Sequence, residues 1–572
     1  MTQDRNELAS AVRSLAPVGR RVGFYSALLG LLVFVPTIYM LEVYDRVVSS
    51  RSLTTLVVLT LMVTLAYAVM EWLQWVRSEL LRGAALQFDE ALMPRVLQAV
   101  HESNLRGPGG TQPLNDLRAL REFIASQTVI SAFDVPVASI FLIAIFFISP
   151  WLGLVALICA VVLVAVGGLA DRRAREPSQK AGRAAIAAQQ ALDGAVRNAV
   201  VVRSMGMLGA LSDRWLRAQA QAQALQQRVL EQSAISQAMA RFIQTTLSSA
   251  MLGLGAWLLL SNTLQGGDVM LIIASVLAGR MIAPLVQSIS QWRSVLGARE
   301  AWARLDEMLS RVPPAQPAMP LPAPRARLSV EQAAVTLPGV SAPVLRGVNF
   351  SLQAGEVLGV IGPSASGKTT LARLLTGILP SAGGKVRLDA MDVYLWDKAQ
   401  LGPHLGYVPQ SVDVLDGTVA ENIARFGSTE TAEAQGLIRS AIEAVGLTDL
   451  IASLPEGLQT RVGRDGERLS AGQRQRLALA RALFGEPVFL VLDEPNSNLD
   501  EAGDQALAQA IEQRKQAGAI TVVMTHRTRV LAQVDRLLVL REGAQLAFGP
   551  RDEILAQLHK AAQQARAAGA SA

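Results

Sequence analysis

Charge is scarce in this sequence, and cysteine is nearly missing. Asp, Glu, Lys and Arg together make only 17% of the 572 residues, against 51% hydrophobic residues and a mean hydropathy of +0.31. That balance excludes an ordinary soluble enzyme of this size and points to membrane segments. The single cysteine, Cys159, sits in an apolar run, which excludes a disulfide within the chain and any cysteine-based metal cluster. No small-residue cleavage site follows the first apolar run, so that run reads as an uncleaved anchor. The basic surplus, net +6 with a pI near 9.7, is not gathered on one aromatic-bearing face; it is interleaved with apolar segments, and no nucleic-acid partner is expected.

Six apolar stretches approach the length needed to cross a hydrocarbon core of roughly 30 Å. They lie near Phe24–Val43, Thr55–Val76, Val129–Ile148, Trp151–Ala170, Leu247–Asn262 with its flanks, and Val269–Ile289. The stretches from 77 to 128 and from 171 to 246 are rich in Ala, Gln and Arg at helical spacing, so helices are expected to run on well beyond the bilayer. Two independent soluble hairpin domains are the other reading; glycine and proline are too sparse there to favour it. Eleven Lys and Arg fall between Arg172 and Arg241 and six between Arg77 and Arg121, while the short connections carry few. The long connections, and with them both termini, are therefore expected on the cytoplasmic side. Breaks at 107–110, before the segment Asn115–Leu120, and at Gly206 to Leu211 predict short elbow helices or plain helix turns. Arg280 lies 12 residues past Asp268, about 18 Å of helix, near the bilayer midplane. It either lines a polar pathway or snorkels and pairs with a buried carboxylate; Asp134 reads as structural.

Six prolines in the thirteen residues Val312–Pro324 make a semi-rigid linker to a second, less apolar half. There the octamer Gly362-Pro363-Ser364-Ala365-Ser366-Gly367-Lys368-Thr369 has the spacing of a phosphate-binding loop between an apolar strand and a helix. Backbone N–H groups of the glycine-rich turn would cradle the phosphates, Lys368 would meet the β- and γ-phosphates, and the Thr369 hydroxyl, with Thr370 following, would ligate Mg²⁺. The strand Val488–Asp493 ends in a carboxylate suited to Mg²⁺, and Glu494 is placed to orient or deprotonate a water. Gln410 follows another strand and can reach metal or water. Ser470 and Gly472, within Leu469-Ser470-Ala471-Gly472-Gln473, would open a helix and present N–H groups to an anion. Asp500 follows Glu494, and His526 ends the strand Thr521–Thr525.

In that order these motifs resemble the nucleotide-binding domain of an ABC transporter: Walker A, Q-loop, signature, Walker B, D-loop and H-loop, covering about Leu328 to Gly549. The resemblance implies a membrane α-helical bundle of six spans of the ABC exporter type, then an α/β P-loop NTPase domain with the ABC helical subdomain. It places a cytoplasmic segment at 1–22, the six-helix domain at 23–311, the linker at 312–326, the nucleotide-binding domain at 327–555 and an Ala-rich tail at 556–572. It implies ATP hydrolysis coupled to transport, with ATP and Mg²⁺ as ligands and Thr369, Gln410 and Asp493 around the metal. Glu494 would be the base, with Gln410 and His526 reporting on the γ-phosphate. A homodimer is implied, because Ser470 and Gly472 of one subunit would close over the nucleotide held by Lys368 of the other. Ala471 stands where the family usually has glycine, a small-for-small change. No aromatic ring stands about 25 residues before the P-loop, where Leu337 would make an apolar contact with adenine instead.

The stretch from Pro36 to Leu56 and the segment Asn115–Phe123 are similar to type I secretion ATPases of the PrtD-like protease and lipase exporter group. That resemblance implies an inner-membrane motor exporting an unfolded polypeptide with an uncleaved C-terminal signal. Its partners would be a periplasmic membrane-fusion adaptor, a TolC-like outer-membrane channel and the surrounding membrane lipid. Only about 20 residues precede the first span, so no leader-cleaving domain is expected. An exporter of lipids or small amphipathic molecules shares the same architecture and is the alternative.

Overall fold

The computed structural model describes the chain except for residues 1–6, 107–109, 262, 264–266, 315–318, 320, 326, 338–339, 341, 526 and 570–572. It divides into two compact units, Met1–Pro314 and Ala315–Ala572.

Among the described residues of the first unit, six helices are long and apolar enough to cross a membrane: Ala16–Glu42, Leu53–Leu105, Gln112–Ile148, Pro150–Arg197, Leu208–Leu260 and Val269–Ser290. The continuous helices Leu53–Arg106, Pro150–Arg197 and Leu208–Leu260 run 54, 48 and 53 residues. At 1.5 Å per residue each is over twice as long as the hydrocarbon core is thick, so the helices do continue past the bilayer. The first span breaks at Val33, between helices Ala16–Leu32 and Phe34–Glu42. Pro36 has no N–H to give the carbonyl of residue 32, which accounts for the interruption. The spans meet closely where one side chain is missing: a Cβ on Gly30 would lie 2.0 Å from Val137 Cγ1, so the first and third spans approach only because residue 30 is glycine. Ile145, Leu152, Leu163, Leu247, Met251 and Ile282, all fully buried, form the core of the bundle.

Beyond the spans, Phe88, Leu92 and Val96 of the second helix, Leu117 and Leu120 of the helix Gln112–Ile124, and Leu305 of the helix Trp292–Arg311 form a further apolar cluster. Asp116, whose side chain is 3% exposed, locks it by accepting from Arg304 at 2.7 Å. The first elbow is thus a 13-residue helix held by both neighbours. At the second, the short helix Ala199–Ser204 comes before Gly206 rather than after it, and Gly206 (φ +66°) ends it by taking the left-handed conformation.

The second unit is built on one sheet of ten strands among the described residues: β1 Leu328–Val335, β2 Leu345–Leu352, β3 Val357–Ile361, β4 Gly383–Leu388, β5 Met391–Asp392, β6 Leu405–Val408, β7 Phe489–Asp493, β8 Ile520–Met524, β9 Arg536–Arg541 and β10 Ala544–Pro550. Their order is β5-β4-β1-β2-β10-β9-β3-β8-β7-β6. Neighbours from β9 through β6 pair in parallel, and β1, β4 and β5 pair antiparallel at the other end. Strands β7 and β8 are buried at every position, as expected of parallel strands covered on both faces. Their carboxyl ends point to one edge, where an α/β sheet binds its ligand.

Candidate nucleotide site

β3 delivers the chain into the loop Gly362–Gly367, and the helix Lys368–Leu375 leaves it, two residues earlier than the sequence pattern predicts. Gly367 caps that helix at φ +100°, a conformation that only glycine adopts without strain. The helix N-terminus therefore opens into the loop with its free N–H groups, which suits an anion. Lys368 Nζ donates to the carbonyls of Gly362 (2.8 Å) and Pro363 (3.1 Å), so its charge sits over the loop. Ser366 is 2% exposed.

Two more segments converge on the same edge. The Thr369 hydroxyl donates to Gln410 Oε1 at 3.3 Å, and Gln410 Nε2 donates to Glu494 Oε2, also at 3.3 Å. This chain links the P-loop, the segment after β6 and the segment after β7. Asp493, at the end of β7, is 1% exposed, and neither of its carboxylate oxygens has a hydrogen-bond partner. Burial pushes its carboxyl above the usual carboxylate range, opposed by the nearby Thr369 hydroxyl and the cations Lys368 and Arg373. A buried carboxylate without donors, beside a hydroxyl and an amide oxygen, is a hard-oxygen set that fits Mg²⁺. Among the described residues no cluster of three or more His, Cys, Asp or Glu offers an alternative metal site. Glu494 holds φ +51°, strained for a glutamate, and its N–H is pinned to Met524 O at 3.0 Å.

The signature segment is organised by a capping box. Ser470 Oγ accepts from Gln473 N (3.3 Å) while Gln473 Oε1 accepts from Ser470 N (2.8 Å), starting the helix Ala471–Leu483. Ala471 is exposed in the first turn, where a methyl group costs nothing; Gly472 is different, since a Cβ there would lie 2.9 Å from Asn498 O. Leu469 is buried beneath the segment. Among the described residues no hydrogen bond or ion pair joins residues 469–473 to the P-loop of the same chain. Asp500 caps the helix Glu501–Gln516 by accepting from Gly503 N at 2.9 Å, and pairs with Arg476. These two donors, Gly503 N–H first, hold its carboxyl below the usual range. His526 lies outside the described residues. Leu337 is half-buried and packs against the core of the sheet.

Sequence reasoning assigned no role to the residues that join these parts. Gln475, fully buried, donates through Nε2 to Pro495 O at 2.7 Å and ties the signature helix to the turn after Glu494. Arg527 pairs with Asp504 at 2.9 Å and donates its backbone N–H to Thr525 Oγ1 at 3.1 Å, fixing the chain on either side of residue 526. A glutamine at a position whose helical neighbours Leu479 and Ala478 are apolar was the available signal for Gln475.

Two family profiles match this chain: the ABC transporter profile over residues 345–497, which contains the P-loop, Gln410, the signature and Glu494, and the ABC transporter transmembrane region over 22–281. The type I secretion system ATP-binding protein PrsD of Rhizobium meliloti (strain 1021) is 39% identical over 561 residues, covering 98% of this chain and 96% of that protein. The chain belongs to the type I secretion ATPases of the ABC transporter family. The leukotoxin translocation ATP-binding protein LktB of Mannheimia haemolytica is 27% identical over 93% of this chain and 75% of its own length. The ATP-dependent lipid A-core flippase of Chromobacterium violaceum is 35% identical, but over 51% of this chain and 50% of that protein. A solved bacterial Atm1-family ABC exporter with ATP bound superposes with a TM-score of 0.80 over 96% of this chain and 98% of that one, at 19% identity, which establishes the exporter fold. The chain is a multi-pass membrane ATPase that couples ATP hydrolysis to export, with its nucleotide-binding unit on the cytoplasmic side.

Proposed function

We propose that this chain is the inner-membrane motor of a type I secretion system and exports an unfolded polypeptide bearing a C-terminal signal. The observation that carries the reading is the similarity to PrsD along the whole chain, membrane unit included, where the flippase matches only half. The motor works as a homodimer: Ser470 and Gly472 of each subunit close over the nucleotide on the other's P-loop. Thr369, Gln410 and Asp493 would hold Mg²⁺, which would supply neutralisation of the phosphate charge. Glu494 takes the proton of the attacking water, and Gln410 and His526 report on the γ-phosphate. A periplasmic adaptor and a TolC-like channel complete the path.

Within the membrane unit, a cavity of about 300 Å³ between the first, second, third and sixth spans supports a polar route. Gln74, Gln127, Ser131 and Gln287 line it with groups that can bond a passing peptide backbone. Arg280 lines it too and is exposed, and no described carboxylate lies within ion-pair distance of it; Asp134, also on the wall, pairs with Arg77 instead. Arg280 is assigned to the path on that basis.

The test is the ATPase rate of the protein in lipid with C-terminal peptides of candidate secreted proteins. A several-fold response to one peptide that vanishes when its sequence is scrambled is expected. Indifference to all peptides with stimulation by a lipid or small amphipath would replace this reading with a lipid or drug exporter.

A further inference from the structure

A second cavity, of about 170 Å³, lies between the fourth and fifth spans and the start of the helix Trp292–Arg311, apart from both sites above. Its depth follows from helix geometry. Arg173 is 22 residues beyond Trp151 at the outer turn, about 33 Å of helix, and Arg293 is 24 residues beyond Val269, about 36 Å. Both guanidinium groups therefore stand at the cytoplasmic edge of a hydrocarbon core about 30 Å thick.

The walls change character at that edge. On the bilayer side they are apolar and bare: Leu169, 18 residues beyond Trp151, is 53% exposed and Met239, 21 residues before Leu260, is 48% exposed, while Ile235, 62% exposed, stands level with the guanidinium groups. On the cytoplasmic side stand Arg173 and Arg293, both exposed, and neither makes a hydrogen bond or ion pair with the described residues. Gln232 also lines the cavity; its Oε1 atom is turned away from solvent and receives no hydrogen bond, so a rotation of the side chain is needed to bring it to a ligand. An acceptor shut away without a donor is destabilising, and a ligand hydroxyl would relieve it.

We propose that this cavity binds one anionic phospholipid of the cytoplasmic leaflet whose head group carries hydroxyls, as phosphatidylglycerol does. Its phosphate sits between Arg173 and Arg293, a head-group hydroxyl donates to Gln232 Oε1 once that side chain turns toward the cavity, and an acyl chain covers Leu169 and Met239. Each feature answers a separate part of the lipid: paired cations the phosphate, the lone acceptor the hydroxyl, the bare apolar wall the chain. Basic pockets between helices at this depth suit anionic head groups, and each nearby cation contributes attraction of about 1 kcal/mol. Screening reduces the sum for two exposed cations to about a tenfold preference over a zwitterionic lipid.

Trp292 lines the same cavity and serves as the reporter. The full-length protein is placed in phosphatidylcholine nanodiscs containing a small fraction of either phosphatidylglycerol or phosphatidylcholine with acyl chains brominated near the head group. Quenching is measured for the wild type and for Trp292→Phe, the difference giving the Trp292 contribution. Phosphatidylglycerol is expected to quench Trp292 at about one-tenth the mole fraction that phosphatidylcholine requires. Arg173→Gln combined with Arg293→Gln removes that selectivity, and the corresponding double lysine variant keeps most of it. Equal quenching by the two lipids in the wild type overturns the proposal, and this arm stands even if the glutamine variant does not fold. Selectivity that survives in a folded glutamine variant also overturns it. Inorganic phosphate added to plain phosphatidylcholine discs is expected to leave Trp292 emission unchanged; a response to phosphate alone would make this an ion site and overturn the lipid assignment.

Discussion

At the residue scale, the proposed base is a carboxylate whose backbone is fixed as well as its side chain, which accepts from Gln410. Glu494 occupies the left-handed region, a conformation that costs about 1 kcal/mol or more for a residue with a Cβ, and the N–H bond to Met524 O holds it there. Glutamine has the same shape and the same backbone preference, and its amide can still meet Gln410. Glu494→Gln is therefore expected to bind ATP about as tightly as the wild type while turnover falls at least a hundredfold, since only the base is lost. Nucleotide-binding titration alongside a steady-state phosphate-release assay checks both halves, and a variant with near-normal turnover would remove Glu494 from the role of base. At this scale the sequence was most informative about residues with one chemical purpose. The octamer at 362–369 and the carboxylates 493 and 494 are set by spacing within a strand-loop-helix, a local matter. Gln475 was illegible because its function is to reach Pro495, twenty residues away in sequence, and no local pattern encodes that distance. Gly472 was legible as a glycine but not as a necessity until the Asn498 carbonyl stood 2.9 Å from its absent Cβ.

At the scale of elements, helix existence was written in the hydropathy and helix ends were not. The apolar runs marked where bilayer is crossed, but the helices continue for turns beyond because Ala, Gln and Arg are good helix formers in water as well. The short helix Ala199–Ser204 fell on the unexpected side of Gly206 because a glycine in left-handed conformation ends a helix as readily as it precedes one. What joins the spans is also not periodic. Arg77, with 6% of its side chain exposed, donates to Asp134 at 2.5 Å and to Ser26 at 2.8 Å, tying the second span to the third and first. Asp134→Asn would leave the guanidinium buried without its counter-charge, and breaking such a pair from one side costs about 3–5 kcal/mol. Asp134 is 28% exposed, so the lower end, about 3 kcal/mol, is expected. Arg77→Met combined with Asp134→Leu removes both charges and should recover most of the loss. Thermal unfolding of the three variants in detergent gives the coupling, and a double variant no more stable than Asp134→Asn would mean that the pair is not what holds these spans.

At the scale of the whole molecule, the described residues of one chain bring together only some of the parts proposed for the nucleotide site. The P-loop, Gln410, Asp493 and Glu494 gather at one edge of the sheet, while the signature helix is tied to the turn after Glu494 and, among the described residues, makes no hydrogen bond to those four parts. Ser470 and Gln473 satisfy one another, and the first N–H groups of that helix stay free to meet an anion. If the second half of the site comes from a second copy, two damaged chains can repair each other. One chain carries Lys368→Ala and the other Ser470→Arg. In a mixed dimer one site then combines an intact P-loop with an intact signature, and the other carries both defects. Were both halves drawn from the same chain, each site would carry one defect and neither would work. Co-expressed chains bearing different affinity tags can be isolated as the mixed dimer, and vanadate trapping of photoreactive ATP reads which chain retains nucleotide. Label is expected on the Ser470→Arg chain alone, because its P-loop faces the undamaged signature of its partner, at roughly half the wild-type amount per dimer. Each homodimer prepared separately should trap little. A mixed dimer as inactive as either homodimer would mean that the signature acts within its own chain, and the homodimeric motor would have to be rebuilt on a different contact.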